Sequence, residues 1–100
     1  MQEEKSLLGQ IIDLPVEEFK KQIVEQKVSV GVIQNIILNL SFAYNECFMR
    51  KENILQQVFK GCLNKEDEQV KTVLEGLYAE MTKIELKVTF LKERTEELKI

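Results

Sequence analysis

The chain has 100 residues, 44% hydrophobic and 31% charged, with 14 Lys+Arg against 17 Asp+Glu for a net charge of −3. That length suits a single helical domain over residues 1–100 and is too short for two independent cores. With no histidine or tryptophan, imidazole base catalysis, His-containing triads and His-ligated metal sites are excluded, and the acidic balance supplies no overall positive field for non-specific nucleic-acid binding.

The opening run Met1–Gly9 has Glu3 and Glu4 where a signal peptide is basic, and its apolar core is too short, so a cytoplasmic protein is expected. Residues 1–12 read as a flexible N-terminus or a short extra helix. A first helix is expected over 13–27. Asp13 serves as its N-cap, Pro15 is tolerated in the first turn, and Glu17 and Glu18 oppose the dipole. Its apolar stripe is Phe19 and Ile23, joined by Val16.

Val28 to Val32 alternates as a strand does and also contains Ser29, a good helix cap, so helix, loop and strand all remain open for it. No second convincing strand exists to pair with it. A long second helix is expected over 30–60, ended by Gly61. A third follows over 64–99, capped by Asn64 with Glu66, Asp67 and Glu68 in its first turn. The short connection makes these two antiparallel neighbours, an αα-hairpin.

The third helix carries the most specific signal. Val70, Leu74, Leu77, Met81, Ile84, Val88, Leu91, Thr95 and Leu98 follow alternating spacings of four and three, all apolar except Thr95. Such a heptad seam points to helix-on-helix packing. The second helix has a matching but less regular series: Ile33, Ile37, Leu40, Tyr44, Cys47, Lys51, Ile54 and Val58. Its one polar member, Lys51, reads as a solvated lysine at a frayed edge, or as a stem lying along apolar surface with its head in water.

Helices of about 30 and 35 residues extend roughly 45 and 52 Å, so the hairpin must be slender. It also carries more apolar surface than one seam uses. Ile36, Ala43, Phe48, Leu55 and Phe59 widen the face of the second helix, and Val73 and Tyr78 that of the third. The expected fold is therefore all-α, a short N-terminal helix followed by a long antiparallel αα-hairpin that dimerises, or assembles further, into a four-helix bundle. Two outlying patches, Leu38/Phe42/Met49 and Leu86/Phe90, are either buried by the N-terminal helix or a higher oligomer, or exposed for docking of another protein, as are Phe19 and Ile23.

No catalytic, cofactor or metal site is expected. Adjacent carboxylates such as Glu17/Glu18, Asp67/Glu68 and Glu96/Glu97 point about 100° apart on a helix and do not converge. Pairs such as Glu17–Lys21, Glu46–Arg50, Glu68–Lys71 and Glu80–Lys83 read as surface support. Cys47 and Cys62 are too few for a disulfide framework and not spaced as a metal knuckle or redox pair. Residues 28–45 contain no charge, but Gln34, Asn35, Asn39 and Asn45 gather on one arc, which argues against a membrane span. Lys83, Lys87 and Arg94 lie on neighbouring sides of the third helix, interleaved with glutamates. The expected function is non-catalytic binding of another protein through an apolar helix face, as an adaptor, chaperone-like holder, assembly factor or inhibitor. The alternatives are a small dimeric nucleic-acid-binding regulator and a purely structural self-assembling coiled-coil unit.

Overall fold

A computed structural model describes residues 11–99. The sequence expectations for residues 1–10, including the pair Glu3/Glu4, lie outside the described residues. Within them the chain is all-helical, with three helices and no strand: α1 (Val16–Glu25), α2 (Val30–Phe59) and α3 (Glu68–Lys99). Helices α2 and α3 pack against each other along the hairpin, and α1 lies against α3 near the open end.

The helix ends follow local backbone chemistry. The first begins at Val16, later than the sequence suggests, because the residue before a proline is disfavoured in the helical region. Pro15 itself takes the N-cap position at φ −54°, ψ 152°. Asp13 sits in the preceding turn, closed by the Leu14 N–H donating to the Ile11 carbonyl at 3.1 Å. The other end of α1 is a Schellman motif. Lys27 N–H donates to the Val24 carbonyl at 3.1 Å and Val28 N–H to the Ile23 carbonyl at 3.4 Å. Val28 is buried in the same cluster as Ile23, which supplies the apolar contact that accompanies this motif. The motif requires a left-handed residue, and Lys27 fills that role at φ 51°.

The ambiguous Val28–Val32 stretch resolves into this cap and the next helix. Ser29 is extended, and its side-chain oxygen accepts from the Val32 N–H at 3.4 Å. A second Schellman motif ends α2: Gly61 N–H donates to the Val58 carbonyl at 3.0 Å and Cys62 N–H to the Gln57 carbonyl at 2.8 Å. Gly61, at φ 81°, supplies the left-handed conformation here without a side-chain penalty. Helix α3 starts four residues later than Asn64 suggests. Asn64 instead builds a turn, its Oδ1 accepting from Glu66 N–H at 2.9 Å, and Asp67 Oδ1 caps the helix by accepting from Gln69 N–H at 2.8 Å.

The core sits at the open end of the hairpin, where α1 adds a third element. Ile11, Phe19, Ile23, Val28, Ile33, Ile36, Leu40, Ile84 and Leu91 form one buried cluster. Toward the 60–67 loop, only two helices remain to cover each other. The molecule measures 52 × 24 × 23 Å with a radius of gyration of 16.6 Å, against about 13 Å for a compact chain of this size. No described helix is long and apolar enough to cross a membrane.

Candidate interaction surface

Burial along the hairpin is strongly graded. The buried residues of α2 are Ile33, Ile36 and Leu40, all within its first eleven positions. Those of α3 are Leu77, Met81, Ile84, Lys87, Leu91 and Thr95, none of them before Leu77. Among the residues spaced as a seam, Ile37, Tyr44, Cys47, Ile54, Val58, Val70, Leu74 and Val88 are only half-buried, and Leu98 is exposed. The gradient has a simple cause. A residue between two helices is covered from one side, and full burial needs a third element, which α1 supplies only near the open end.

The residues singled out for docking separate into three groups. Phe19 and Ile23 are both 0% exposed and belong to the core, so they present no docking face. Their i, i+4 spacing is equally that of a stripe folded inward, and α1 turns it onto α3. Leu38, Phe42 and Met49 are 55%, 60% and 66% exposed. They run along the outer side of α2, with Asn45, Glu46 and Arg50 beside Phe42 and Met49. Leu86 is exposed, whereas Phe90 is half-buried with the Lys20 ammonium 5.7 Å from its ring centre.

Of the three cations expected together on α3, the structure disperses the group. Lys87 is 2% exposed. Its Nζ donates to the Ile12 carbonyl at 2.7 Å and lies 5.1 Å from the centre of the Phe19 ring. Burial, reinforced by the neighbouring Lys83 charge, lowers its pKa below the ordinary lysine value. Lys83 donates to the Asp13 carbonyl at 3.5 Å, and Arg94 pairs with Glu97 at 3.2 Å. Two lysines of α3 thus bind carbonyls of the turn that leads into α1. A lysine at a helical position near apolar neighbours gives no local sign of this; it depends on where α1 lands.

Lys51 is also placed differently from a frayed, solvated lysine. Its side chain is 14% exposed, its Nζ lies 4.5 Å from the Phe48 ring centre and 5.9 Å from that of Tyr78, and Glu52 pairs with it at 3.1 Å. The stem covers apolar surface while the head reaches the edge, within cation–π range of both rings. Two turns back along α2, the Tyr44 hydroxyl donates to Glu85 Oε1 at 3.0 Å, and that bond, followed by burial, raises the Tyr44 pKa. Phe48, Lys51 and Tyr78 gather on one flank of the hairpin, and Tyr44, packed against the core cluster, lies between that flank and the core.

Among the described residues, no three side chains come together as metal ligands would. The depression bounded by Tyr44, Glu85, Val88 and Lys92 is a shallow groove of about 360 Å³ between α2 and α3. Surface ion pairs differ from the sequence pairing, with Glu17 meeting Lys20 at 3.8 Å and Lys71 meeting Glu66 at 3.4 Å. No family model, curated protein or solved structure matches the chain.

Proposed function

We propose that this is a non-catalytic helical protein that binds another protein through the outer face of α2. The observation that carries this reading is the stripe Leu38, Phe42 and Met49, each more than half exposed on a regular helix. Apolar residues at such spacing on a rigid element suit an amphipathic helix laid alongside, and methionine beside phenylalanine adapts to different side chains. Leu86, exposed on α3, is a second and smaller contact of the same kind. The protein acts by presenting this face, as an adaptor, holder, assembly factor or inhibitor.

Self-association is part of the proposal. Half-buried Ile54, Val58, Val70 and Leu74 sit at heptad spacing in the part of the hairpin that α1 does not reach, which supports a heptad seam completed in a dimeric four-helix bundle. Cytoplasmic residence belongs to the same reading, supported by the free thiols Cys47 and Cys62, which suit a reducing compartment.

The test compares the intact chain with Phe42→Asp as immobilised baits, with helicity of both followed by circular dichroism. The expected result is a specific protein retained by the first and lost from the second at unchanged helicity. Identical retained proteins would remove the α2 face from the account.

A further inference from the structure

We infer that α1 exchanges between two copies of this chain: the α1–α2 turn straightens into one continuous helix, and each α1 seats on the α3 of the other copy, in the site it fills within a single chain. The occupant of that site is thus α1 itself, seen in place. The exchange goes beyond the self-association proposed above, because it needs no contact in the half of the hairpin toward the 60–67 loop.

The α1–α2 turn is weakly fixed as a turn. Its left-handed position is held by Lys27 at φ 51° rather than by a glycine, so a side chain is strained there. Ser29, the cap that starts α2, reaches the Val32 N–H only at 3.4 Å on an exposed surface. From Gln26 to Val30 the chain has neither proline nor glycine, so nothing in that stretch bars a helix from running through. The hydrophobic phase runs through as well. Val16, Phe19, Ile23, Gln26, Val30 and Ile33 follow spacings of 3-4-3-4-3, polar only at Gln26, and lead without a slip into the seam of α2. Helices that meet only at a turn have no need to share one phase. The α2–α3 connection contrasts on both counts, with Gly61 at φ 81° and residues 60–67 between the helices.

Seating and direction follow from contacts within one chain. Helix α1 packs on α3, to which it is not directly joined. Lys83 donates to the Asp13 carbonyl, Lys87 to the Ile12 carbonyl, and the Lys20 ammonium lies 5.7 Å from the Phe90 ring centre, so α1 runs alongside α3 in the same direction. A straightened α1 continues the line of α2 past the open end of its own hairpin. Laid on the second copy's α3 in the observed sense, it sets the two hairpins end to end, open ends facing and 60–67 loops far apart, about a two-fold axis across the helices. Phe19 and Ile23 then close the other copy's core beside Ile84 and Leu91, as they do within one chain. Straightening replaces the cap bonds of the turn with helical ones and releases the strain at both copies of Lys27.

The test refolds an equal mixture of isotope-labelled and unlabelled full chain from urea at hundreds of micromolar and reads isotope-filtered NOEs in the dimer. The expected signal connects Phe19 ring protons of one chain to Ile84 and Leu91 methyl groups of the other. A dimer without it would overturn the exchange while leaving association through the loop half of the hairpin standing; a chain that stays monomeric would overturn both. Lys27→Gly checks the turn separately, because glycine favours the left-handed conformation and disfavours the straight helix, once in each chain of the dimer. The variant is expected to weaken the dimer about tenfold or more while the single chain keeps its helicity. An equal or tighter dimer would overturn the straightened turn.

Discussion

Leu91→Ala probes the point on which the architecture turns, the three-element core at the open end of the hairpin. Leu91 is 0% exposed and shares a buried cluster with Phe19 and Ile23 of α1 and Ile33 of α2. Removing three carbons forfeits about 2.4 kcal/mol of transfer free energy at ~0.8 kcal/mol each. The space they leave is lined by three helices that cannot all close upon it. A residual cavity of about 50 Å³ adds roughly 1.2 kcal/mol, giving a total near 3.5 kcal/mol, within the range of about 2–5 kcal/mol seen for buried leucines. For a domain whose whole stability is about 5–15 kcal/mol, that loss is readily measured by urea unfolding followed by circular dichroism. Both proteins must be compared at one low concentration, because the proposed association would contribute its own concentration-dependent stability. Phe59→Ala serves as the reference: at 92% exposure it is expected to cost less than about 0.5 kcal/mol in the monomer. A loss below about 1 kcal/mol for Leu91→Ala would refute the three-helix core.

Two further perturbations examine α1. Lys27→Gly relieves a left-handed lysine at φ 51° and is expected to raise stability by about 0.5–1 kcal/mol in the same unfolding assay, the steric relief exceeding the added chain entropy; a loss of stability would contradict the cap geometry. Lys87 gives a pH dependence of definite sign. Its folded-state pKa is lowered, first by burial and then by Lys83, from the ordinary 10.5. The unfolded chain therefore binds more protons through that window, and stability from this group rises as pH climbs through the folded value toward 10.5. The difference in urea midpoint between the native chain and Lys87→Met, measured from pH 8 upward, isolates this from Tyr44, whose raised pKa has the opposite sign. The native chain is expected to gain on the variant with increasing pH; a constant or falling difference would mean that Lys87 is solvated.

Much of the hairpin is legible from a few residues. Ser29 and Gly61 are the cap types their positions require, and both perform those roles. The third-helix spacing picks out Leu77, Met81, Ile84 and Leu91, all of them buried. Less legible is anything decided by where α1 lands. Phe19 and Ile23 form an apolar stripe whether they dock a partner or close a core, and only the turn through Ile12 and Asp13 onto Lys87 and Lys83 fixes the second outcome. Lys87 looks like any solvated lysine until a carbonyl and a ring surround it. The same geometry limits α1 to one end, so residues spaced alike along α2 differ in burial, with Ile33 enclosed and Val58 half open.

An uncovered hairpin end that recruits a second layer is most directly tested by sedimentation equilibrium of the full chain at tens of micromolar. The expected mass is twice the 11.7 kDa of one chain, reverting to a single chain on dilution. A mass that stays at 11.7 kDa across that range would contradict the account.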